Sequence, residues 1–319
     1  MNHFSSIVGQ AGALSLLQSS FDQGKISHAY LFSGPSGVGK MLTAVTFAWQ
    51  LIAATDDDAD IFWADQVHPD LMVIEIPANK TIITKEQITK EMEPWLALKP
   101  YRAKRRIVIV RDSHLISVEA ANALLKTLEE PPLYAVIILV ADQEDLLETI
   151  TSRCQLVRFF PVADQVIEQY LLAEGASPSV ACEVAKLAQG SVALARRFIQ
   201  EEGLREKWQQ AREMIDKLNS SDVGQVFTAA ETIDTDTDLY TNMLETIIRD
   251  ILIYKTTNKE DFVISLDNIS LAASIKSNQL HGLKDAIKQI NGLKKNYRRY
   301  VNSMLISVNI ARSIWQAMH

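Results

Sequence analysis

Short apolar runs rich in Val and Ile alternate with helix-like segments over the first half of the chain, up to about Pro161. Each run is mostly continuous in its apolarity, which is typical of a strand that is covered on both faces. Alternation of this kind predicts parallel strands joined by crossover helices, and therefore an α/β domain. The predicted strands are Ala29–Ser33, Leu71–Ile76, Arg106–Arg111, Ala135–Ala141 and Gln155–Phe160.

Beyond Pro161 the strand signals stop, and apolar residues recur at helical spacing. Glycines punctuate this part in the manner of helix ends, so Val162 to about Gly203 is predicted to form three short helices. From Leu204 the pattern stays helical and finishes with a long helix pair around Gly292. We therefore predict three domains, an α/β domain over 1–161, a small helical domain over 162–206 and an all-α domain over 207–319.

Composition limits the classes of function. With 319 residues, 47% of them hydrophobic, the chain is long enough for two or three buried cores. Its formal net charge of -7 argues against a protein that grips nucleic acid alone, because such binding depends on many lysine and arginine contacts to phosphate. The start of the chain does not resemble a signal peptide, and no apolar stretch reaches the roughly 20 residues that cross a bilayer. We expect a soluble, cytoplasmic protein without membrane contact.

Metal chemistry is not favoured by the residue spacing. Cys154 and Cys182 are far apart, so neither a disulfide framework nor a zinc cluster is predicted. The acidic run Thr55–Asp60 is predicted to be a solvated loop, because its carboxylates do not match a known metal-binding loop. The histidines are also too scattered for a metal role, and His68 is better explained by a turn before the second strand. They are His28, His68 and His114.

The segment LFSGPSGVGKM, Leu31–Met41, has the spacing of a phosphate-binding loop. It lies between a predicted strand and a predicted helix, the context that separates a real loop from a chance match. Its glycines allow backbone N–H groups to point inward, and Lys40 would reach the β and γ phosphates. Met41 stands where a working loop places Ser or Thr to hold Mg²⁺. The nucleotide-binding residues of this degenerate loop are Gly34, Pro35, Ser36, Gly37, Val38, Gly39, Lys40 and Met41.

Two other requirements of nucleotide hydrolysis are also unmet. An acidic pair should follow a neighbouring strand, but the strand Arg106–Arg111 ends in Arg111-Asp112, which puts a guanidinium where the metal-binding aspartate belongs. At the tip of the next strand, Ala141 cannot donate the hydrogen bond that would sense a γ-phosphate. Three losses, at Met41, Arg111 and Ala141, predict a site that no longer hydrolyses nucleotide.

Several motifs, in order and spacing, resemble the bacterial clamp-loader AAA+ proteins of DNA polymerase III. They are HAYLFSGPSGVGK, HPDL, EAANALLKTLEEPP, TSRCQLVRF and LAQGSVALA. The resemblance is strong over about the first 160 residues, extends into the next helices, and reaches the last third only through its helical character. It implies a RecA-like AAA+ domain, a helical lid, and a helical collar domain that joins the chain to a ring-like assembly.

The same family contains ATP-hydrolysing motor subunits, gamma or tau, and a related subunit that does not hydrolyse ATP. Motor subunits keep Ser or Thr after the loop lysine, an acidic pair after the second motif strand, and an arginine in the lid. This chain has Met41, Arg111-Asp112 and Ala193 at those positions, all on the side of the non-hydrolysing subunit. Many members also carry a four-cysteine zinc knot before the HPD motif. Trp49–Val67 contains no cysteine, so we expect no zinc.

Arg153, in the Ser152-Arg153-Cys154 motif, keeps the family pattern. In the family this motif supplies an arginine finger, a side chain that reaches into the ATP site of a neighbouring subunit. A guanidinium opposite the γ-phosphate stabilises the charge of the transition state. Without the motif, a surface arginine or a structural ion pair would be the better interpretation. Cys154 is expected to act as a small buried apolar residue.

Other surfaces leave alternatives open. The helix SVEAANALLKTLEE places Ala121, Leu124, Leu125 and Leu128 on a core face. Its other face, with Asn122, Lys126 and Glu129, is either solvated or directed to a neighbour or DNA. The basic groups Tyr101–Arg106 and Lys294–Tyr300 have a composition that suits phosphate contact and base stacking, although solvated edges explain them more simply.

The resemblance implies a non-hydrolysing stator that offers Arg153 to an adjacent ATP site during loading of a sliding clamp on primed DNA. Its implied partners are the gamma/tau and delta subunits and, through the complex, the clamp and the DNA. No cofactor is required, and binding of ATP or ADP without hydrolysis is compatible with this role. The first alternative is an active AAA+ ATPase, the motor subunit or another P-loop remodeller. The second is a free-standing nucleotide sensor.

Overall fold

The computed structural model describes residues 3–63, 67–78, 80–142, 146–201, 203–296 and 302–319. It divides into two compact units, Met1–Ala195 and Arg196–His319. The finer division into three domains stays a prediction.

The first unit is built on one parallel sheet. All five predicted strands are present, and three of them end one or two residues earlier than predicted. Their order across the sheet is β2-β3-β4-β1-β5, and every neighbouring pair is parallel. The prediction of an α/β domain with a parallel sheet is confirmed. The strands are β1 Ala29–Ser33, β2 Leu71–Ile74, β3 Arg106–Val110, β4 Ala135–Ala141 and β5 Gln155–Arg158.

Helices cover both faces of the sheet, which explains why the central strands read as continuous apolar runs. Tyr30 and Phe32 face a core that includes Trp49, whereas Ala29 and Leu31 face the opposite core. A π-helical turn at Gln87–Met92 leads directly into the fourth α-helix. The helices that begin in this unit are α1 Ala11–Asp22, α2 Lys40–Ala53, α3 Ala59–Trp63, α4 Glu93–Ala97, α5 Val118–Glu129, α6 Glu148–Thr151, α7 Asp164–Ala173, α8 Pro178–Leu187 and α9 Val192–Gln200.

The second unit is helical throughout its described residues, as predicted. The buried carboxylate of Asp250 accepts hydrogen bonds of 2.9 Å from the N–H groups of Ile264 and Ser265 and from the amide of Asn268. The predicted long helix pair at the end of the chain is present, and Gly292 lies inside the first of its two helices. The helices are α10 Leu204–Leu218, α11 Gly224–Asp234, α12 Thr237–Thr257, α13 Asn268–Ser274, α14 Leu280–Asn296 and α15 Ser303–Met318.

None of the helices given above is a candidate for crossing a membrane. Within the part of the chain that the structure describes, no helix combines the length and the apolar character needed to cross a bilayer.

A buried ionic network links the acidic run after α2 to the loop before β3. Asp56 Oδ2 lies 3.0 Å from Nε2 of His68 and accepts a 2.8 Å bond from Nε of Arg102. Asp70 in turn accepts the N–H groups of Tyr101 and Arg102, both at 2.7 Å. The prediction that the acidic run is a solvated loop is therefore wrong for Asp56. The burial of Asp56 is explained by these partners, because a buried charge needs a counter-charge and hydrogen bonds.

His68 has the turn role that the sequence predicts. Its Nδ1 accepts the N–H of Asp70 at 3.0 Å, and its carbonyl accepts the N–H of Leu71 at the start of β2. The same ring lies edge-on to Trp49 and Phe62. The network therefore fixes the entry to β2 and β3, and the second motif, Arg111-Asp112, follows the far end of β3.

Replacing Asp56 by alanine should destabilise the first unit in a pH-dependent way. Arg102 and His68 lose a shared acceptor, so we expect the free energy of unfolding to fall by about 1–3 kcal/mol at pH 7. The hydrogen bond from Arg102 is the main reason that the pKa of Asp56 lies well below its ordinary value. The stabilisation is therefore complete above the unfolded-state pKa of about 4 and is lost as the pH falls further. Urea denaturation at pH 7 and at roughly pH 3 measures both effects.

Asp57→Ala is the matched control, because Asp57 is the exposed neighbour of Asp56. We expect its denaturation curve to stay close to that of the wild type. Equal stability of Asp56→Ala and wild type at pH 7 would contradict a structural role for the network.

Candidate functional site

The phosphate-binding loop follows β1 and runs directly into α2. The backbone has positive φ at Gly37 (75°) and Gly39 (104°), conformations that favour glycine. A Cβ on Gly34 would lie 2.3 Å from the carbonyl oxygen of Phe159, so the loop also passes very close to the end of β5. The sequence therefore supplies glycine where the chain needs left-handed backbone or a close approach.

Lys40 is held by acceptors of its own chain. Its ammonium donates to the carbonyls of Gly34, at 2.8 Å, and Pro35, and lies 2.9 Å from Oδ1 of Asp142. The lysine is 4% exposed. An ammonium has three N–H donors, so these three contacts use its full capacity. A phosphate would have to replace them.

Asp142 reaches Lys40 because β1 and β4 are parallel neighbours. The register pairs Ser33 with Ala141, so the residue that follows β4 lies beside the loop that follows β1. The sequence-based prediction at this strand end concerns only the absence of a γ-phosphate sensor, and the ion pair was not predicted. It could have been predicted, because the carboxyl ends of parallel strands meet at one edge of a sheet.

Met41 packs as a core residue. It is half-buried and lies against the cluster that contains Phe47 and Trp49. A thioether is a soft ligand, whereas Mg²⁺ requires hard oxygen donors. Met41 thus contributes packing and no metal ligand.

Arg111 follows β3 and carries its positive charge beside the loop. Its Nη1 lies 2.8 Å from Oε1 of Glu75, and its Nε lies 3.8 Å from the carboxylate of Asp112. The hydrogen bond that Arg111 donates to Glu75 is the main reason that the pKa of Arg111 is raised, so the guanidinium stays charged. About half of the side chain is exposed. A fixed positive charge here opposes binding of a divalent cation.

Three potential metal ligands meet at this edge, among them His114, for which the sequence predicted no metal role. Asp112, His114 and Asp142 each place a ligand atom within 4.8 Å of the others. The N–H of Asp142 also donates to Nδ1 of His114 at 3.2 Å. Lys40 already pairs with Asp142, and Arg111 lies beside Asp112, so cations of the chain balance these carboxylates. The residues present do not suit the Mg²⁺ that ATP hydrolysis requires.

The start of α9 rests on the loop. The N–H of Ala193 donates to the carbonyl of Gly37 at 3.0 Å, and a Cβ on Gly37 would lie 2.0 Å from Oγ of Ser191. Ser191 begins the helix, since its Oγ accepts the N–H of Leu194 at 3.2 Å. The position where the resemblance implies an arginine in motor subunits is thus alanine, with its backbone bonded to the loop.

Gln10 is a second residue that the sequence interpretation missed. Its amide donates to the carbonyl of Phe160 at 2.6 Å and accepts the N–H of the same residue at 3.1 Å. A weaker bond of 3.3 Å reaches the carbonyl of Val38. Gln10 therefore ties the loop to the segment after β5. No local pattern indicates this bridge, since it joins residues 150 positions apart.

Arg153 lies near the amino-terminal end of β5, whereas the phosphate-binding loop of its own chain lies at the carboxyl-terminal ends of the strands. It precedes β5, whereas the loop approaches Phe159, just after β5. The strand rises roughly 10 Å between Gln155 and Arg158 at about 3.3 Å per residue. Arg153 Nη2 lies 2.6 Å from Oε1 of Glu129, and Nη1 donates to the carbonyl of Thr149 at 2.8 Å. The side chain is 36% exposed.

Cys154 has the inert character that the sequence predicts. Burial raises the pKa of its thiol to about 12, so it stays protonated at neutral pH. Cys182 is exposed and, like Cys154, a free thiol.

The surface of α5 matches its predicted pattern. Leu124 and Leu128 are buried, whereas Asn122, Lys126 and Glu129 are exposed. What that exposed face contacts in an assembly stays a prediction.

The basic group Tyr101–Arg106 offers less free charge than its composition suggests. Arg102 is bonded to Asp56 and also lies 2.6 Å from Asp58. Arg106 is buried, bonds the carbonyl of Leu98 at 3.0 Å and stacks 4.0 Å above Trp95. Arg102 and Arg106 are therefore structural cations, which differs from both the phosphate-contact and the solvated-edge interpretation. Of the other basic group, Tyr297–Tyr300 lie outside the described residues.

Comparisons with known proteins find similarity to subunits of DNA polymerase III. Residues 9–163 match the family model described as DNA polymerase III, delta subunit. Over 202 residues the chain is 32% identical to the DNA polymerase III subunit tau/gamma of Haemophilus influenzae, a match that covers 59% of this chain and 29% of that protein. It is equally 32% identical over 202 residues to the DNA polymerase III subunit delta' of Pseudomonas aeruginosa, with 60% and 61% covered.

The chain thus covers less than two thirds of the length of either relative. Among solved structures it is similar to the Bacillus subtilis DNA clamp loader delta protein, with a TM-score of 0.40 and 14% identity over 95% of this chain and 99% of that one.

Gly34→Ala should destabilise the first unit. The new Cβ would meet backbone at 2.3 Å, which a rotamer change cannot relieve. We expect a loss of about 1–3 kcal/mol, seen as a lower urea or thermal midpoint by circular dichroism. Gly12→Ala in α1 is the matched control, since a Cβ there meets nothing within 4 Å and alanine favours a helix by about 1 kcal/mol. A Gly34→Ala midpoint equal to that of the wild type would refute this account of the loop.

Proposed function

We propose that this chain, which belongs to the clamp-loader family of DNA polymerase III, is a delta-prime-type subunit that does not itself hydrolyse ATP. In this proposal it supplies Arg153 to the ATP site of a neighbouring subunit while the assembly loads a sliding clamp on primed DNA. Its partners are the gamma/tau and delta subunits. These roles extend what is known of the family to this chain.

The observation that carries the proposal is the guanidinium of Arg111 at the second motif. Hydrolysis needs a carboxylate there to hold hydrated Mg²⁺. Arg111 instead bonds Glu75 at 2.8 Å and keeps its charge. Met41 lacks the side-chain oxygen that would be a second metal ligand. Ala141 is fully buried at the end of β4, and its side chain cannot donate a hydrogen bond. Each change alone would impair hydrolysis, and all three occur at one edge of the sheet.

The position of Arg153 supports action on another subunit. It precedes β5, at the opposite end of that strand from its own loop, so its side chain does not reach a phosphate held there. More than a third of its side chain is exposed, and a guanidinium binds phosphate through paired N–H groups. An arginine supplied in trans can stabilise charge at a neighbour's γ-phosphate.

The internal bonding of the loop fits a stator. Lys40 is saturated by its own chain, and Gly37 bonds the start of α9. Contacts of this kind hold the loop and the following helix together without a nucleotide. The loop is then a structural element, which is compatible with weak binding of ATP or ADP but does not require it.

An active ATPase of the gamma/tau type is the second candidate. The equal identity of 32% to a tau/gamma protein and to a delta' protein favours keeping it. Overall similarity therefore does not separate the two functions, and the site residues must do so.

Arg153→Ala should slow ATP hydrolysis by the reconstituted clamp-loader complex without unfolding the chain. Fingers of this kind contribute roughly 10³ to 10⁵ in rate at the site that they serve. Arg153→Lys keeps the charge but loses the planar fork, so we expect partial activity at most. Phosphate release measures the rate, and thermal melting of the free variant controls for folding. An unchanged rate in Arg153→Ala would overturn the finger role.

Met41→Thr should leave the isolated chain without ATPase activity. The new hydroxyl restores one oxygen ligand, but Arg111 still repels the metal and Ala141 still lacks a donor. Wild type and variant are assayed for ATP turnover with Mg²⁺ and primed DNA, and a gamma/tau subunit serves as the positive control. Robust turnover by the wild type would favour the motor alternative. Turnover by Met41→Thr alone would show that Arg111 does not exclude the metal.

A further inference from the structure

We infer that Glu129 is the positioning residue for Arg153, and that it fixes the guanidinium before a neighbour's triphosphate arrives. This inference rests on the proposed finger role. It concerns the chain's own carboxylate and goes beyond the presence of the finger. Glu129 itself touches no phosphate.

The guanidinium is held from two separate elements. Glu129, the last residue of α5, lies 2.6 Å from Nη2. On the other side, Nη1 donates to the carbonyl of Thr149 in α6, at 2.8 Å, and more weakly to Oγ of Ser152, at 3.4 Å. Two anchors on different helices define both the position and the plane of the group.

These contacts leave donors for a ligand. A guanidinium has five N–H groups in a fixed fork. Thr149 and Ser152 engage Nη1, and Glu129 engages one N–H of Nη2. Among the residues that the structure describes, no acceptor engages the other N–H of Nη2 or that of Nε. A free arginine side chain samples many rotamers, and part of that entropy is lost when it binds phosphate. Holding the side chain beforehand lowers that loss.

Glu129 belongs to a helix that is packed against the core of the first unit. The core face of α5 places Leu124 and Leu128 inside the first unit, with 0% and 2% exposure. Only the outer face, which carries Glu129, meets the guanidinium. The packing of α5 therefore fixes the backbone position of Glu129, even though 52% of its side chain is exposed.

The place of Glu129 in α5 also argues for a role outside the helix. A carboxylate in the last turn is unfavourable, because the carbonyl end of a helix carries partial negative charge. Helix stability alone would favour a neutral or basic residue there, as with Lys126 one turn earlier. Arg153 neutralises this charge, so the pair relieves a local electrostatic cost while it orients the guanidinium.

The test compares five forms of the chain, and a matched control, in the reconstituted complex. They are the wild type, Glu129→Ala, Glu129→Gln, Arg153→Ala and the double variant Arg153→Ala/Glu129→Ala. Pre-steady-state phosphate release identifies the kinetic phase that Arg153→Ala removes. Glu130→Ala is the matched control, since it removes the same charge from the exposed neighbouring residue.

We expect Glu129→Ala to slow that phase about two- to fivefold at saturating ATP, as the modest strength of an exposed ion pair implies. Glu129→Gln keeps a hydrogen-bond acceptor and should retain most of the rate. In the Arg153→Ala background the loss of Glu129 should add nothing, since its effect passes through Arg153. Glu130→Ala should match the wild type, and the melting temperatures of all the free chains should agree.

A rate for Glu129→Ala at or above that of the wild type would overturn the inference, since a carboxylate that merely competes with phosphate would give an increase. An added loss in the Arg153→Ala background would overturn it as well. If Arg153→Ala slows hydrolysis and Glu129→Ala does not, the finger stands and only the positioning role fails. If Arg153→Ala has no effect, both fail.

Discussion

The buried ammonium of Lys40 is the constraint around which the loop region is organised. A buried positive charge is stable only with counter-charges and hydrogen bonds close to it. In a nucleotide-hydrolysing loop the lysine binds the β and γ phosphates. Here the carboxylate of Asp142 and two loop carbonyls satisfy it within the chain. The three N–H donors of Lys40 therefore all have acceptors within the chain.

The charges next to Lys40 follow the same logic. Arg111 introduces a second cation at the strand ends, and Glu75, Asp112 and Asp142 provide the nearby carboxylates. A divalent metal in such a group would have to displace cations that are covalently part of the chain. Met41 offers no oxygen ligand to a metal, and Arg111 repels a divalent cation. Both residues therefore act against metal binding at this site.

Much of the sheet could be predicted from the sequence, because strands covered on both faces leave continuous runs of β-branched residues. The loop was equally clear, since glycines at fixed spacing reflect backbone requirements. Contacts between distant residues were less accessible. The pair Lys40–Asp142 follows from strand register and could have been derived. The pairing of Asp56 with Arg102, 46 residues away, could not, because charge composition alone does not tell a buried ion pair from a solvated loop.

Gly292 in α14 shows a related effect of packing on a local signal. Glycine costs a helix about 1 kcal/mol relative to alanine, which packing easily outweighs. In α14 the residues Leu283, Ala286 and Ile290 are buried at helical spacing and hold the helix through Gly292. A local signal was overruled by a tertiary one. The same reasoning applies to Glu129, whose unfavourable place at a helix end becomes understandable only once Arg153 lies beside it.

Arg111 and Arg153 show how position, rather than residue type, determines what a guanidinium does. Both are partly exposed, and both pair with a glutamate, at 2.8 and 2.6 Å. Arg111 follows β3, at the edge where the chain's own loop lies, and there it opposes the metal. Arg153 precedes β5, at the other edge, where it is remote from that loop and open to solvent. Because a parallel sheet sends all its carboxyl ends to one side, a residue that precedes a strand is separated from its own phosphate site. This separation is consistent with the proposed action of Arg153 on another subunit.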